Sequence, residues 1–393
     1  MKNNYRKLGE YIQPVDIRNS DLQVSHLLGL SIEKCFIESI ANTIGTDFRP
    51  YKIVKKGQFA YGPVTSRNGD KITIALLKEV DVCIISSSYS VFEIIDTSKL
   101  LPDYLMLWFS RPEFDRYARY KSHGSVREIF DWDEMCRVEL PIPDIKEQQK
   151  IVDAYNTITK RIQLKQKINE KLMQNSIMQL EKNIGKTMLL NSTKQDVNEV
   201  RKKLESNWNL VTIKDFCVDI KSGSTPSRTE ASYWANGTVL WLKSGEVHNN
   251  ITINCEEKIT EQALEETSVK LLPKDTVLMA MYGATASEVG YLNIEATTNQ
   301  AICGMICKDK RKSAYLYFAL LQNQKKISSL ANGGAQSNLS KEIIENFFII
   351  VPDFALLDKL GLDKIIQTLK LNYMEIDKLQ KLKQLVISRI SEK

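Results

Sequence analysis

The side chains best suited to chemistry in this chain lie in short polar stretches, and their residue types suit hydrogen bonding to nucleic acid. Asn and Gln can pair in bidentate fashion with adenine, and Arg with guanine, in the DNA major groove. The stretch 222–228 (Ser-Gly-Ser-Thr-Pro-Ser-Arg) offers hydroxyls, free amides and a cation, which is typical of phosphate positioning. The stretch 335–338 (Ala-Gln-Ser-Asn) follows two glycines, and glycines let a backbone approach a ligand closely.

Candidate DNA contacts of these types occur in both halves of the chain. A plain solvent-exposed loop also explains each of them taken singly, so the prediction rests on both halves placing such residues beside the same landmarks. In the first half the candidates are Tyr61, Arg67, Asn68, Lys71, Tyr89, Arg119, Lys121 and Arg127. In the second half they are Ser224, Thr225, Arg228, Lys243, Tyr282, Asn299, Gln300, Gln336, Ser337 and Asn338.

Three stretches resemble catalytic motifs, but none has the residues and spacing that the motif requires. The tripeptide 185–187 (Gly-Lys-Thr) resembles the end of a phosphate-binding loop, but the required earlier glycine is Leu180 and no strand precedes it. Asp144 with Glu147 and Lys150 has the wrong spacing for a metal-dependent nuclease, and an Asp at a helix start is explained by N-capping. The acidic cluster at 131–134 is interpreted as a solvated turn. We therefore predict a non-catalytic chain without a cofactor or metal of its own.

Composition bounds the class of protein. At 393 residues the chain is long enough for two domains of roughly 150 residues each. A net charge of +6 permits nucleic-acid binding without demanding it. Seven scattered cysteines and only three histidines favour a reducing compartment and argue against a structural metal. No apolar run reaches the roughly 18 residues that cross a bilayer, so we expect a cytoplasmic protein with no membrane contact.

Two long amphipathic helices must position these loops. The first is predicted over residues 145–186, where Ile151, Tyr155, Ile158 and Ile162 recur at helical spacing and a looser stripe continues through Ile168 to Ile184. At 1.5 Å per residue it would span about 60 Å. The second closes the chain with a stricter seam typical of a coiled coil. That seam is Leu362, Ile366, Leu369, Tyr373, Ile376, Leu379, Leu382 or Lys383, Val386 and Ile390.

The order of elements repeats along the chain. Tyr104-Leu105 corresponds to Tyr315-Leu316, Gly124 to Gly334, and Pro143-Asp144 to Pro352-Asp353, with offsets of 211, 210 and 209 residues. These offsets predict an internal duplication of about 200 residues. Strands are predicted at 72–77, 82–86 and 91–95 and at 276–281 and 301–307, and short helices at 102–109 and 314–321. A further apolar run at 347–351 precedes Pro352-Asp353. Residues 5–19 are predicted to be a short extended arm.

These elements predict an α+β fold with two mixed α/β recognition domains and two long helices packed as an antiparallel coiled coil. Neither helix can bury its stripe alone, and the alternative is that each packs only on its own domain. The expected boundaries are a first domain at 1–143, a spacer helix at 144–186, a linker at 187–207, a second domain at 208–352 and a second spacer helix at 353–393.

Several motifs resemble those of a specificity subunit of a type I restriction-modification system, and the resemblance covers essentially the whole chain. The most specific match is 222–226 with Tyr233-Trp234 and Trp241, followed by 299–301 (Asn-Gln-Ala). The first half adds 87–92 (Ser-Ser-Tyr-Ser-Val-Phe) and 141–143 (Pro-Ile-Pro) ahead of 147–149 (Glu-Gln-Gln). The second helix departs from this pattern and reads Phe-Ala-Leu-Leu at 354–357.

The resemblance implies a non-catalytic DNA-recognition subunit. Each domain would read one half of a split target on double-stranded DNA, and the helix pair would fix the gap at about one helical turn, roughly 34 Å. The implied partners are two adenine methyltransferase subunits using S-adenosylmethionine and, for cleavage, two motor-nuclease subunits using ATP and Mg. The physics of adenine methylation agrees with this implication, because base flipping needs a separate pocket and this chain shows none in its sequence.

Two other classes of protein fit the same features. One is a coiled-coil scaffold whose terminal domains bind protein, and the other is a recognition region detached from a fused methyltransferase-nuclease. The scaffold predicts weak, salt-insensitive association with DNA. A true reader loses affinity steeply as the salt concentration rises.

Overall fold

A computed structural model describes residues 5–40, 43–66, 69–123, 128–184, 201–202, 204, 206–331 and 338–391. The chain divides into two compact units. The first unit comprises residues 1–162 and 379–393, and the second comprises 163–378. Each unit mixes strands with helices, which confirms the predicted α+β fold class. Within the described ranges, no helix is long and apolar enough to cross a membrane.

The first unit is built from short, mostly antiparallel strands and three short helices. Its strands are β1 (Tyr5–Lys7), β2 (Ile12–Val15), β3 (Leu28–Leu30), β4 (Phe36–Glu38), β5 (Lys52–Lys55), β6 (Phe59–Tyr61), β7 (Ile74–Leu76), β8 (Val82–Ile85), β9 (Ser90–Ile94) and β10 (Glu139–Pro141). Its helices are α1 (Pro102–Phe109), α2 (Pro112–Lys121) and α3 (Trp132–Arg137), followed by the start of α4 (Ile145–Ile184). The largest sheet has the strand order β2-β9-β6-β7, and Phe59 of β6 stacks on Phe92 of β9 at its centre.

The prediction of an extended arm at residues 5–19 is wrong. Strands β1 and β2 belong to the sheets of the first unit, and Leu8 and Ile12 are buried in its core. Pro14, which excluded a helix in the sequence, lies in β2 at the edge of its sheet, where a missing N–H is tolerated. The acidic stretch 131–134 is not a solvated turn either, because Asp131 caps α3 and Glu134 is buried against Arg137.

The second unit contains a five-stranded sheet with the order β12-β19-β16-β17-β14 and a three-stranded sheet with the order β15-β13-β18. Its strands are β11 (Trp208–Thr212), β12 (Asp219–Ser222), β13 (Val239–Leu242), β14 (Asn250–Thr252), β15 (Glu257–Ile259), β16 (Val277–Ala280), β17 (Val289–Leu292), β18 (Thr297–Thr298), β19 (Ile302–Ile306) and β20 (Phe348–Pro352). Its helices are α5 (Ile213–Phe216), α6 (Glu261–Glu266), α7 (Lys310–Ser329), α8 (Lys341–Glu345), α9 (Phe354–Leu360) and most of α10 (Leu362–Ser388).

The five predicted strands are present within two residues of their expected ends, and the apolar run at 347–351 forms strand β20. The helix predicted at 102–109 has the same bounds in the structure. The helix predicted at 314–321 is the apolar middle of the longer helix α7, which begins earlier because the Asp309 carboxylate accepts hydrogen bonds from the backbone N–H groups of Arg311 and Lys312.

The two units repeat the same architecture. In each, the opening strand pairs antiparallel with the last strand before a long helix, β1 with β10 and β11 with β20. A buried tyrosine hydroxyl donates to a carbonyl of that last strand, from Tyr104 in the first unit and Tyr315 in the second. Asp144 and Asp353 then cap the following helices through backbone N–H groups at 3.0 and 2.8 Å. The predicted internal duplication is confirmed.

The long helix α4 follows the prediction, but its buried seam is more polar than the sequence suggested. Ile168 is 45% exposed, whereas Asn169 is only 4% exposed. Within the second unit, Asn372 Nδ2 donates to Asn169 Oδ1 at 2.7 Å, and Lys165 donates to Asn372 at 2.8 Å and pairs with Glu375 at 2.9 Å. These contacts show that α4 and α10 run antiparallel where they meet in this unit. Their coiled-coil packing stays a prediction.

The closing helix is interrupted once. Helix α9 ends at Gly361, which has a φ of +62°, a left-handed conformation that glycine adopts without strain. Helix α10 then carries the predicted seam, with Leu362, Ile366 and Leu369 buried. Of the two alternatives at 382 and 383, Lys383 is the half-buried one, and its ammonium lies 4.8 Å from the Tyr155 ring centre within the first unit.

The buried asparagine pair makes a testable contribution to stability. Asn372→Leu is expected to lower the free energy of unfolding by about 3 kcal/mol, since it leaves the Asn169 carbonyl buried without a donor and removes the Lys165 acceptor. The double variant N169L/N372L should recover most of this loss, because an apolar layer replaces a complete polar pair. Urea denaturation of both variants measures the difference. A single variant as stable as the parent chain would contradict the proposed role of the pair.

Candidate nucleic-acid interface

The second unit brings two of the predicted stretches together. Strand β12 ends at Ser222, opposite Cys303 at the start of the antiparallel strand β19. The residues after β12 therefore lie beside those that precede β19. Ser224 N–H donates to the Thr298 carbonyl at 2.9 Å, and the Ser224 carbonyl accepts from Trp241 Nε1 at 3.0 Å.

Gly223 makes this close approach possible. A Cβ at this position would lie 2.2 Å from the carbonyl oxygens of both Thr298 and Asn299, a separation that atoms in a folded chain do not adopt. The glycine in the 222–228 stretch is therefore a packing requirement between two loop backbones. It holds the hydroxyls of Ser224 and Thr225 beside the amides of Asn299 and Gln300.

The side chains at this junction are connected by hydrogen bonds. Thr225 Oγ1 donates to Gln300 Oε1 at 2.5 Å, and the Ser224 hydroxyl lies 2.8 Å from that of Ser268. Asn299 Oδ1 accepts from the Ala301 N–H at 3.2 Å. Because Gln300 is exposed and uses its carbonyl internally, its NH2 group is the part that can donate to a base or phosphate oxygen. Four predicted residues thus form one polar surface, named here the 224–300 junction.

Two predicted cations of the second unit have partners within the chain. The Arg228 guanidinium lies 3.6 Å from the Trp234 ring centre and 4.9 Å from that of Trp241, and it pairs with Glu257. Lys243 pairs with Glu256 at 2.7 Å and with Glu257 at 3.1 Å. The Arg228 hydrogen bond holds the pKa of Glu257 below its usual value, and Glu256 raises the pKa of Lys243. Arg228 therefore anchors the loop on two indole rings.

Tyr282 and Asn338 also come together, through a backbone bridge between them, and both side chains are exposed. The predicted contacts Gln336 and Ser337 lie outside the described residues. Gln324 was missed by the sequence: its amide donates at 3.1 Å to both Asn249 Oδ1 and the Ser287 carbonyl.

These Gln324 bonds hold two non-glycine residues with positive φ, Asn249 at +52° and Ser287 at +74°. Such backbones occur at ligand sites more often than elsewhere. Gln324 therefore fixes the turns that precede the two neighbouring parallel strands β14 and β17. The turn before β17 begins beside Tyr282. No pattern in the sequence marks a glutamine within a long helix for this task.

In the first unit, Tyr61 is not available for a DNA contact. Its side chain is fully buried against Phe92 and Phe130, and burial raises the pKa of its hydroxyl to about 12. The turn signals beside it in the sequence indicated an exposed loop, but Tyr61 ends strand β6 and points into the core. We withdraw it from the candidate contacts.

The other candidates of the first unit differ in exposure. Lys71 is exposed and pairs with Glu33 at 2.8 Å, Arg119 pairs with Glu128, and Tyr89 and Lys121 are half-buried. Tyr120 beside them is 80% exposed and was missed by the sequence reasoning, although the run of basic and aromatic residues at 116–121 was noted.

The remaining candidates, Arg67, Asn68 and Arg127, lie outside the described residues. The described residues next to them are in contact, because Thr65 N–H donates to the Glu128 carbonyl at 3.0 Å. The Thr65 hydroxyl also donates to that of Ser122 at 2.9 Å. The two stretches that carry these three candidates therefore start from adjacent points of the first unit.

The site offers hydrogen bonds rather than an acid–base or metal centre. Across the ranges given above for the structure, no group of three or more His, Cys, Asp or Glu side chains is placed to hold a metal ion. The structure is thus a duplicated α+β unit that ends on a strand pair, leads into a long helix and, in its second copy, presents amides and hydroxyls at the 224–300 junction.

Comparison with known families identifies the module. Residues 43–174 and 205–383 each match the type I restriction modification DNA specificity domain, and the chain belongs to this family. It is a family of specificity subunits, which are non-catalytic, and DNA sequence recognition is its implied role.

Curated relatives agree with this assignment. The chain is 23% identical to the specificity subunit of the type I restriction enzyme HindI from Haemophilus influenzae, over 77% of this chain and 78% of that one. It is 24% identical to the MjaIX specificity subunit of Methanocaldococcus jannaschii, over 68% of this chain and 62% of that one. The fold resembles the crystal structure of the type I S subunit from M. genitalium, with a TM-score of 0.56 and 14% identity over 98% of this chain and 95% of that one.

Proposed function

We propose that this chain is the DNA-recognition subunit of a type I restriction-modification complex, in which each unit reads one half of a bipartite target. The observation that carries the proposal is the duplication: the same specificity domain matches twice, once for each repeat of the fold. The 224–300 junction supports it for the second unit, because amides and hydroxyls that suit base edges and phosphates are fixed there by backbone contacts.

The two long helices are proposed to set the gap between the half-sites and to dock the methyltransferase subunits. Several large apolar side chains on them are exposed, which supports binding of a protein partner. They are Leu164, Ile168, Met178, Leu371, Met374, Leu382 and Leu385. The partner subunits would then carry out methylation with S-adenosylmethionine and ATP- and Mg-dependent cleavage. This chain would determine the DNA sequence on which they act.

The sequence at 354–357 differs from the corresponding stretch at the start of α4, and the difference affects how each helix is attached to its own unit. Gln148 is fully buried: its carbonyl accepts from Leu101 N–H at 2.9 Å, and its amide donates to the carbonyls of Lys99 and Pro143 at 2.8 and 2.9 Å. The corresponding residue after the second capping aspartate is Leu357, which is buried in an apolar cluster. We infer that this difference alters how the helix is anchored and leaves the partner-binding faces comparable.

The most direct test is the methylome of a host that co-expresses this chain with its methyltransferase partner. We expect one split adenine-methylation motif, asymmetric between its halves. We also expect DNA affinity of the complex to fall steeply with salt in proportion to the phosphates neutralised. A host genome without a split motif, together with salt-insensitive association, would overturn the proposal in favour of a protein-binding scaffold.

A further inference from the structure

The first unit contains a pocket of about 250 Å³ away from the residues considered so far. Its lining includes Trp108, Arg111 and the aromatic residues Tyr5, Phe114 and Tyr117. All of these residues lie within the first unit. The pocket is large enough for a phenyl group with a polar substituent, since a cavity of about 150 Å³ accommodates benzene.

Two residues that line the pocket carry buried hydrogen-bond donors without acceptors. Arg111 is only 6% exposed, and its guanidinium lies 4.3 Å from the Trp108 ring centre. Its Nε is 3.5 Å from the Glu113 carboxylate, beyond a good hydrogen bond. Among the residues that the structure describes, neither Arg111 Nε nor Trp108 Nε1 has a hydrogen-bond partner.

Such an arrangement is unfavourable, and an anionic acceptor beside the guanidinium would offset part of its cost. A buried cation that lacks hydrogen-bonded acceptors carries a desolvation cost, and burial lowers the pKa of Arg111 accordingly. A carboxylate is the acceptor whose geometry matches the guanidinium of Arg111. The aromatic walls suit an apolar group attached to that carboxylate.

Two carboxylates that line the pocket further restrict the class of ligand that it can bind. Glu113 and Glu139 also line the pocket, and both are exposed. Two carboxylates disfavour a multiply charged anion such as a DNA phosphate backbone or free phosphate. A single carboxylate that reaches Arg111 past them meets less repulsion.

We propose that this pocket binds the carboxylate of a small apolar or aromatic acid, supplied as a free acid or as the end of a peptide. The site belongs to the first repeat only. At the offset of 211 residues that aligns Tyr104 with Tyr315, Trp108 corresponds to Ala319 and Arg111 to Gln322. The inference does not rest on DNA recognition, because no candidate DNA contact lines the pocket.

Isothermal titration of the full chain with 3-phenylpropanoate tests the site. We expect saturable binding with a dissociation constant of roughly 1 mM, the scale for a ligand of about ten heavy atoms. The neutral 3-phenylpropanamide should bind at least tenfold more weakly. The dipeptide Gly-Phe separates the two sources: tighter binding than phenylpropanoate assigns the site to a chain end, and weaker binding to a free acid.

Three variants complete the test. Arg111→Met should abolish binding without lowering the melting temperature, because it removes a buried charge that has no hydrogen-bonded partner. Trp108→Phe should change binding little, because an aromatic ring remains in the lining and the indole N–H is buried away from the ligand. Glu113→Gln should strengthen it, since a repulsive carboxylate is removed. Three results would each overturn the proposal. They are equal affinities for the acid and the amide, failure of the acid to saturate the site at about 10 mM, and an unchanged affinity for the acid in Arg111→Met.

Discussion

Replacing Gly223 with alanine is expected to eliminate recognition by the second unit and to lower the free energy of unfolding by about 3 kcal/mol, the upper part of the usual range for overpacking. The added Cβ would lie 2.2 Å from two backbone carbonyl oxygens, those of Thr298 and Asn299. Backbone atoms cannot rotate away as a side chain can, so the two loops must separate. Separation breaks the Ser224–Thr298 hydrogen bond and displaces Thr225 from Gln300.

The matched control is Gly245→Ala in the same unit. A Cβ at Gly245 meets no atom within 4 Å and its φ is not positive, so stability should change by less than about 0.5 kcal/mol. Urea denaturation measures stability, and the methylome of the reconstituted complex measures recognition. If the Gly223 variant methylated the parental motif at the parental level, the 224–300 junction would not be part of the interface.

The second large effect is expected for Gln148→Leu, which should reduce the free energy of unfolding by about 3 kcal/mol. Leucine has nearly the volume of glutamine, so the change tests hydrogen bonding rather than packing. It leaves the Leu101 N–H and the carbonyls of Lys99 and Pro143 without the bonds that Gln148 supplies. Thermal unfolding followed by circular dichroism, with urea denaturation at neutral pH, measures the loss.

Gln149→Ala provides the comparison. This neighbouring glutamine is exposed and donates to Asp153 at 2.8 Å, and its loss should cost no more than about 0.5 kcal/mol. The two variants differ in burial while they share sequence context and helix position. Equal effects would show that Gln148 does not anchor α4 to the first unit.

The sequence predicted those elements whose pattern is local. Helix α4 and the seam of α10 were found because apolar residues recur at helical spacing over many turns, and the duplication was found because its landmarks keep a constant offset. Strands of three residues such as β3 and β4 were missed, since they are too short to show alternation. Strand β2 was missed because its mixed residues show no alternation, and its pairing with β9 depends on residues about 80 positions later.

The residue types of the candidate site could be predicted from the sequence, but which of those residues contact each other could not. The Ser224, Thr225, Asn299 and Gln300 side chains were identified as polar loop residues, yet their meeting depends on the antiparallel pairing of β12 with β19. Arg228 was predicted as a cation suited to phosphate positioning, and only the fold shows that two indole rings and a glutamate 29 residues away hold it. Asn169 was overlooked because an apolar stripe was sought, while the pair it forms depends on a residue 203 positions later.

The division of the chain also has a consequence for biosynthesis. The first unit requires residues 379–393, and Ile390 is buried in the same cluster as Leu8 and Val152. A ribosome makes that segment more than two hundred residues after the rest of the unit, so the whole second unit emerges while the first core is still open. Synthesis interrupted before residue 379 would leave apolar surface around Val152 uncovered, a form that chaperones and proteases can distinguish from the finished chain.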